Sequence, residues 1–255
     1  MGNATNICSD KTGTLTENQM TAVEGWFSDK IVRGADIKQA QSLSPSSLDL
    51  MSQNIAINRS CTVRFKDDNG DELHKPKVIG SATEGALVIL AAEWGFNAAN
   101  VKDTFFNSER DCEYPFNSAK KRSSVLINNP DGTLRLYSKG ASETILADCT
   151  RHSTQSGEIV DITPEKRQEL EGIILSMANN ALRTLCLAHM DYASTSELDE
   201  GYEIDSPDAD TMVLDAVVGI MDPLRGDVTE AVATAQSAGV MVRMVTGDNI
   251  NTAKA

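Results

Sequence analysis

Apolar residues recur at helical spacing in two segments of the first half of the chain. They stand three and four positions apart within residues 48–55 and, more clearly, within residues 87–94. Side chains at these separations share one face of an α-helix, which can then pack against a core. The pattern predicts two amphipathic helices, the second capped at Thr83 and ended by Gly95.

Strand signals follow in the middle of the chain. Residues 123–127 and 133–138 are rich in β-forming side chains and flank the turn sequence Asn-Pro-Asp-Gly at residues 129–132. This arrangement is typical of a β-hairpin. Thr163, followed by a proline, then predicts the start of a helix, and residues 184–190 indicate another strand.

The last segment has the most regular pattern. Residues 212–221 form an almost continuous apolar run, as a strand buried on both faces requires. Asp227 is placed to cap a helix with one apolar face over residues 228–235, and residues 240–245 form a second apolar strand. We therefore expect a strand–helix–strand unit, which is parallel and right-handed in nearly all proteins.

Composition and charge narrow the class of protein. The chain has 255 residues, 40% of them hydrophobic, and a net charge of -14, so nucleic acids and anionic lipid surfaces are unfavourable partners. Five widely spaced cysteines without a CxxC pair argue against a disulfide framework or a zinc site. Because no apolar run reaches the ~18 residues that span a bilayer, we expect a soluble segment without direct membrane insertion.

An acidic stretch raises the question of a metal site. Eight acidic residues lie between Glu197 and Asp215, but their spacing is irregular. Metal ligands come from residues at defined separations, whereas a dense run of like charges usually remains hydrated. The stretch is therefore interpreted as a solvated loop.

Three aspartates each follow a predicted strand directly: Asp10, Asp222 and Asp248. In an open parallel sheet, ligands bind at the carboxyl ends of the strands. If the three strands share one sheet, the carboxylates converge and need a cation between them, which suits a magnesium–phosphate ligand. The alternative is that each aspartate separately caps a loop or a helix.

Asp10 is the candidate for a reactive carboxylate. A carboxylate can attack the γ-phosphoryl group of ATP and form an aspartyl phosphate. Lys11 is placed to supply positive charge, and the hydroxyl groups of Thr12 and Thr14 can donate hydrogen bonds to phosphoryl oxygens. The chain contains no GxxxxGK[ST] sequence, so a P-loop is excluded as the ATP site.

The sequence DKTGTLT at residues 10–16 makes the pattern specific, because it resembles the signature of P-type ATPases. The resemblance implies that Asp10 is the phosphorylated aspartate, that Lys11 and Thr12 complete the catalytic group, and that Asp10 and Thr12 bind Mg²⁺. It also implies Mg-ATP as substrate.

Further motifs of the same family appear in order along the chain. They are TEGA at 83–86, FNSAKKR at 116–122, KGASE at 139–143 and LRTL at 182–185. By resemblance, Glu84 approaches adenine, Phe116 stacks on it, and Lys121 contacts the nucleotide. Lys139 and Gly140 line the same pocket, and Arg183 reaches the phosphates. Taken alone, Phe116 is equally compatible with a core position and Lys121 with a solvated surface.

The later motifs resemble the remainder of the phosphorylation domain. They are DPLR at residues 222–225, with Asp222 and Arg225, and TGD at residues 246–248, with Thr246, Gly247 and Asp248. The resemblance implies an α/β architecture: a Rossmann-like, haloacid-dehalogenase-like phosphorylation domain, incomplete here, with an inserted α+β nucleotide-binding domain on an antiparallel sheet. The expected division is 1–20 and 217–255 for the phosphorylation domain and 21–216 for the insert.

The segments around these motifs are similar to the calcium-pump branch, in particular its plasma-membrane and fungal vacuolar members. This resemblance implies a position on the cytosolic face of a membrane and partners in the transmembrane and actuator domains of the pump. Since the chain stops at Ala255, shortly after the TGD motif, we expect it to bind ATP but not to transport an ion alone.

Two alternatives remain open at this point. The chain can be a truncated module of the same family that binds nucleotide without catalysis. A soluble phosphatase of the dehalogenase superfamily requires a second aspartate two residues after the nucleophile, where this chain has Thr12.

Overall fold

The computed structural model describes residues 4–207 and 210–245, except for the side chain of Thr12. The strands are β1 (Asn6–Asp10), β2 (Thr21–Phe27), β3 (Lys30–Arg33), β4 (Thr62–Lys66), β5 (Glu72–Ile79), β6 (Cys112–Asn117), β7 (Arg122–Asn128), β8 (Leu134–Ala141), β9 (Cys149–Ser153), β10 (Ile159–Asp161), β11 (Arg183–Tyr192), β12 (Met212–Met221) and β13 (Met241–Val245).

Six α-helices lie within the described ranges. They are α1 (Pro45–Ile57), α2 (Ala82–Glu93), α3 (Ala98–Phe105), α4 (Ser142–Asp148), α5 (Pro164–Asn179) and α6 (Val228–Ser237). None of the helices in these ranges is long and apolar enough to cross a bilayer.

A large, mainly antiparallel sheet dominates the structure. Its main path runs β10-β9-β12-β11-β8-β7-β6, and β2 joins β12 with β3 outside it. Among the described strands of this sheet, only β12 and β9 pair in parallel. The expectation of a mixed α/β chain with a large antiparallel sheet is therefore confirmed.

Local sequence signals explain where most elements begin and end. The hydroxyl of Ser44 caps α1 through the Ser47 amide at 3.3 Å, and that of Thr163 caps α5 through the Lys166 amide at 3.2 Å. The predicted cap of α2 at Thr83 is wrong: Ser81 accepts the Glu84 amide at 3.3 Å. Either hydroxyl satisfies a free helical N–H, so the local sequence does not choose between them.

The hairpin predicted around residues 129–132 is confirmed. Strands β7 and β8 pair antiparallel, with Asn128 opposite Leu134. The Asn129 amide donates to the Thr133 carbonyl at 2.8 Å, and Gly132 adopts a positive φ of 88° that glycine tolerates without strain.

The sheet is covered by helices on both faces. One core cluster joins α1, α2 and α3 to Phe27 and to the β12 residues Ala216 and Val218. A second joins α4 and α5 to Trp26 and Val217. Because adjacent strand residues face opposite sides of a sheet, the continuous apolar run of β12 supplies both cores.

The predicted strand–helix–strand unit at the end of the chain is wrong. Strand β12 belongs to the large sheet, where it pairs with β11 and β2, whereas β13 pairs in parallel with β1 in a separate two-stranded sheet. Apolar periodicity identifies a buried strand but does not specify its partner, and β12 pairs with the preceding strand β11 and with the distant β2, not with β13.

The expected domain division stays a prediction, but one of its limits falls within a strand. Strand β12 continues in the large sheet to Met221, opposite Thr21 of β2, so a boundary at residue 216 falls inside the strand. After Met221 the chain leaves the large sheet and reaches α6, which Asp227 precedes without forming a side-chain cap.

Candidate functional site

Residues from three neighbouring strands meet at one end of the large sheet. Gly140 of β8 lies opposite Arg122 of β7 and Cys186 of β11. Lys121 directly precedes β7, and Arg183 is the first residue of β11. Four of the residues predicted to contact nucleotide therefore lie at this end of the sheet: Lys121, Lys139, Gly140 and Arg183.

Gly140 permits an unusually close approach between two strands. A Cβ atom at this position would lie 2.4 Å from the Lys121 carbonyl oxygen and 2.9 Å from the Arg122 Cα. Lys121 has a positive φ of 49°, and its carbonyl accepts the Ala141 amide at 3.1 Å. Since only glycine lacks a Cβ, this residue allows the backbone at Lys121 to turn here.

A buried ion pair forms the base of this corner. The Lys139 ammonium lies 2.6 Å from the Glu84 carboxylate and also donates to the Asn58 carbonyl. The second carboxylate oxygen of Glu84 accepts from the amide of Ser60 at 2.8 Å and from its hydroxyl at 2.6 Å. The side chain of Lys139 is only 4% exposed, so the pair fixes the first turn of α2 against β8.

Burial and charge act in opposite directions on the two groups. Burial raises the pKa of Glu84, but the Lys139 ammonium and the hydrogen bonds from Ser60 outweigh it, so the pKa is lowered from its usual value. Burial lowers the pKa of Lys139, and the Glu84 carboxylate partly offsets this effect. Each charge therefore depends on the other to remain in the protein interior.

Phe116 presents an aromatic ring to solvent near the same end of the sheet. It is 64% exposed, more than any other phenylalanine in the described part of the chain. An irregularity in the pairing of β6 with β7 lies between Tyr114 and Asn117 and includes this residue. An apolar ring this exposed is available to stack on a flat ligand.

The hairpin that follows Phe116 is held in place by salt bridges. The Lys120 ammonium lies 2.7 Å from the Asp205 carboxylate, and the Arg122 guanidinium lies 2.9 Å from Asp148. Arg122 also donates to the Pro207 carbonyl at 3.2 Å. The hairpin is thus anchored to the chain on either side of Lys121.

The interpretation of residues 197–215 as a solvated loop is therefore only partly right. Asp205 is engaged by Lys120. Asp215 lies inside β12, only 1% exposed, and its carboxylate accepts from the ring of His189 at 2.8 and 3.0 Å. Counting acidic residues does not reveal which of them enter a strand.

Arg183 completes the corner beside α2. Its guanidinium donates to the Thr83 hydroxyl at 2.9 Å, and the remainder of the side chain is exposed. Thr83 thus contacts the start of β11 instead of capping its helix. This contact places a guanidinium close to the Glu84–Lys139 pair.

Asp10 lies at the end of the small parallel sheet, opposite Val245 of β13. It is exposed, and its carboxylate offers the oxygen donors that Mg²⁺ prefers. Lys11 begins a tight helical turn, residues Lys11–Leu15, which is closed by a 3.1 Å hydrogen bond from the Thr16 amide to the Lys11 carbonyl. The arrangement keeps Asp10 at the mouth of a structured loop.

Asp222 and Arg225 hold this loop from the other side. The Thr16 hydroxyl donates to the Asp222 carboxylate at 2.6 Å, and the Gln19 amide donates to its other oxygen at 3.2 Å. Arg225 donates to the Gly13 and Thr16 carbonyls at 2.7 and 3.0 Å. The two later residues are therefore brought to the segment that follows Asp10.

Some predicted residues lie outside the described part of the chain: Thr246, Gly247, Asp248 and the side chain of Thr12. The expectation that the strands before the three aspartates share one sheet is wrong for Asp222, because β12 lies in the large sheet and β1 in the small one, although Asp222 contacts Thr16 in the loop after Asp10. Over the ranges that the structure covers, no group of three or more His, Cys, Asp or Glu is arranged to bind a metal. Mg²⁺ binding by Asp10 and Thr12 stays a prediction.

Sequence reasoning missed several groups that shape the corner. Asn58 and Ser60 contact the buried pair, yet in the sequence they only form an irrelevant glycosylation-type triplet. Asp205 is equally hidden in the acidic stretch. These partners are 24 to 85 residues away from the groups they contact, so no local pattern identifies them.

Comparison with known proteins gives one family for most of the chain. The family profile described as P-type ATPase, cytoplasmic domain N, matches residues 47–227. This range contains the corner formed by Glu84, Phe116 and Arg183 and does not reach Asp10.

Curated relatives match the chain over its whole length. Plasma membrane calcium-transporting ATPase 3 of Rattus norvegicus is 40% identical over 256 residues, which cover 100% of this chain and 20% of that protein. Calcium-transporting ATPase 10, plasma membrane-type, of Oryza sativa subsp. japonica is 40% identical over 260 residues, which cover 100% of this chain and 24% of that protein. Plasma membrane calcium-transporting ATPase 4 of Homo sapiens is 38% identical over 256 residues, which cover 100% of this chain and 20% of that protein. The chain spans 20–24% of these proteins.

The close approach at Gly140 is tested by Gly140→Ala. The new methyl group must displace the Lys121 backbone, so we expect the free energy of unfolding in urea to fall by about 2 kcal/mol or more. Gly172→Ala in α5 is the control, because no atom lies within 4 Å of its added Cβ. Alanine favours a helix interior by up to ~1 kcal/mol, so this variant should be slightly more stable. Equal effects at both positions would contradict the assignment.

The buried pair is tested by Glu84→Gln. Leaving Lys139 buried without its counter-charge should lower the free energy of unfolding at neutral pH by about 3 kcal/mol. The contribution of the pair is fully present above the pKa of glutamate in the unfolded chain, about 4.3. This contribution is lost as pH falls through the lower pKa of Glu84 in the folded state. The difference in the free energy of unfolding between wild type and variant should therefore become smaller at that pH.

Glu93→Gln is the control for this measurement. Glu93 pairs with Lys38 at 3.4 Å, but both side chains are nearly half exposed. Water screens such a pair, and the change should stay within ~0.5 kcal/mol. The role of the Glu84 pair is refuted if both variants lose the same small stability at neutral pH.

Proposed function

The chain belongs to the P-type ATPase family, and from that premise we propose that the corner at the sheet end binds ATP. The observation that carries this proposal is the exposed ring of Phe116 beside cationic side chains at the ends of three adjacent strands. An aromatic face and nearby cations are complementary to a nucleotide, which combines a flat base with charged phosphates.

In this proposal the base stacks on Phe116. The buried Glu84–Lys139 pair forms the floor of the corner and keeps α2 and β8 at a fixed separation. Gly140 lets the backbone at Lys121 pack directly against the end of β8, which holds Lys121 at the corner. The adenine group of ATP is the flat part of the ligand that the exposed ring of Phe116 suits.

The phosphates are assigned to Lys121 and Arg183. Both cations lie at the same sheet end, and a guanidinium can donate two hydrogen bonds to phosphate oxygens at once. The contact of Arg183 with the Thr83 hydroxyl holds the guanidinium near the corner before a ligand binds. Preorganisation of this kind reduces the entropic cost of binding.

We further propose that Asp10 accepts the γ-phosphoryl group. A carboxylate oxygen of Asp10 attacks the γ-phosphorus, the bond to the β–γ bridging oxygen breaks, and ADP leaves with that electron pair. Mg²⁺ held by Asp10 and Thr12 would neutralise charge on the transferring group. Lys11 adds positive charge, while Asp222 and Arg225 hold the loop after Asp10 through the hydrogen bonds described above.

The same premise suggests a division of labour within the chain. Residues 21–221 form the inserted nucleotide-binding domain, and the segments before and after them contribute to a dehalogenase-like phosphorylation domain. Two connections join these parts, and they are tied together where Thr16 meets Asp222 and Leu224. Phosphoryl transfer requires the corner and Asp10 to approach across this connection.

The function of the whole protein is inferred from its relatives. Their names describe calcium-transporting ATPases of the plasma membrane, and this chain is 38–40% identical to the three examples above. We therefore propose that the protein couples ATP hydrolysis to cation transport, with calcium as the ion. This segment would lie on the cytosolic side of a membrane, with membrane-spanning and actuator domains as partners.

Nucleotide binding is tested by Phe116→Ala. Loss of base–aromatic stacking removes about 1–3 kcal/mol, which corresponds to an affinity for ATP that is roughly 5-fold to 150-fold weaker in calorimetric titration. Phe65→Ala is the control, because Phe65 is 39% exposed but lies on the β4–β5 hairpin. Equal affinities of the two variants would exclude Phe116 as the stacking partner.

The role of Asp10 is tested by Asp10→Asn in magnesium-free titrations with ATP and AMP. If the terminal phosphate reaches Asp10, removal of a like charge should strengthen ATP binding about two- to fivefold and leave AMP binding unchanged. Asp161→Asn, an exposed aspartate on β10, should change neither affinity. Unchanged or parallel responses to ATP and AMP would instead favour a module that binds nucleotide without presenting it to Asp10.

A further inference from the structure

A second polar cavity lies on the α1 face of the large sheet. Its volume is about 290 Å³, at the lower end of the range for small-molecule sites. It is bounded by the first half of α1 and by residues of β8, β11 and the β9–β10 hairpin. The lining residues that carry the argument are Ser47, Gln53, Arg135, Ser153 and His189, with Asp49 at the exposed rim.

Ser47 and Ser153, which line this cavity, belong to a chain of hydrogen-bonded serine hydroxyls. Ser47 donates to Ser28 at 3.0 Å, and Ser28 is hydrogen-bonded to Ser153 at 2.8 Å. Ser44, the cap of α1, donates to Ser47 at 2.8 Å. These contacts join α1, the β2–β3 turn and β9, so this part of the cavity lining is fixed and its hydroxyls are already partnered.

His189 brings a buried ring to the cavity with one nitrogen unused. Its Nδ1 contacts both oxygens of the buried Asp215 carboxylate at 2.8 and 3.0 Å, so this nitrogen carries the proton of the hydrogen bond. The His189 side chain is 4% exposed. Within the described ranges, no protein group hydrogen-bonds its Nε2, and the residue lines the cavity.

Two more side chains bring donors to the same space. Arg135 binds Asp191 through Nε and Nη2 at 2.5 and 2.7 Å, and its guanidinium also lies over the Tyr137 ring, with Cζ 6.0 Å from the ring centroid. Gln53 accepts the Tyr137 hydroxyl at 2.6 Å, which fixes its amide and leaves the amide nitrogen free. Both side chains are therefore oriented by their existing contacts.

We propose that this cavity binds a small molecule through one carboxylate or phosphate group. The guanidinium of Arg135 and the side-chain amide of Gln53 are donors that line the cavity together with the ring of His189. A group with several oxygen acceptors can accept from both donors at once. The Asp49 carboxylate at the rim repels densely charged anions, so a single anionic group is favoured.

The cavity is distinct from the nucleotide corner. Arg135 and Lys139 both lie on β8, four residues apart, which corresponds to ~13 Å along a strand. Ser47 lies in the first turn of α1, whereas the Asn58 carbonyl that Lys139 contacts directly follows its last turn. A ligand in one site therefore leaves the other open, and each can be tested separately.

NMR titration of this chain with sodium acetate and, separately, sodium phosphate tests the proposal. The chain has three histidines, so the ring signal of His189 can be followed individually. We expect saturable shifts at His189 and at the Gln53 side-chain amide, beyond those caused by sodium chloride at equal ionic strength. The probe that binds more tightly identifies the anionic group as carboxylate or phosphate.

Variants separate specific binding from general effects. Arg135→Gln should lower the affinity for the anion at least tenfold. Gln53→Leu should have the same effect, although it leaves the Arg135–Asp191 pair intact. Arg64→Gln, on the exposed β4–β5 hairpin, should not change the affinity. Both cavity variants should retain wild-type ATP-induced shifts around Phe116, which also shows that they are folded.

The proposal is overturned if neither probe shifts the ring signal of His189 more than chloride does. It is also overturned if Arg64→Gln lowers the affinity for the anion as much as the cavity variants do. It is also overturned if ATP displaces the anion, since the anion then occupies the nucleotide corner. If the wild-type chain binds the anion but does not bind ATP, the proposed function is refuted and this inference stands.

Discussion

The pairing of β12 organises the rest of the structure. This strand is buried on both faces and shares hydrogen bonds with β11 on one edge and with β2 and β9 on the other. Because it lies between two helical layers, each of its faces supplies a separate core. Its pairing with β2 also brings Met221 opposite Thr21, so the chain leaves the large sheet next to the point where it entered.

This return explains how two distant segments come to hold one loop. After β12 the chain reaches Asp222 and Arg225 within hydrogen-bonding distance of Thr16 and Gly13, more than 200 residues earlier. Asp10 is thereby attached to a defined loop at the edge of the large sheet. The proposed nucleotide corner and the proposed anion cavity, in contrast, lie on the large sheet, at different positions along β8.

The signals that the sequence reveals reliably are short-range. The turn at residues 129–132 and the cap at Thr163 were identifiable because each depends on neighbouring residues only. The DKTGTLT sequence and the ordered later motifs pointed to the family that the comparisons then supported. The parallel unit failed because β12 and β13 have similar apolar patterns but different partners, and Thr83 failed because Ser81 was an equally good cap.

By itself, the sequence determined the elements, the family and the candidate residues, since periodicity, turn chemistry and motifs are written locally. Only the tertiary structure decided that Glu84 meets Lys139 and Ser60, and that His189 meets Asp215. Such contacts join groups on different strands and helices, and their geometry follows from sheet register and helix packing. Burial makes these contacts important for stability, because a charge removed from water requires a specific partner.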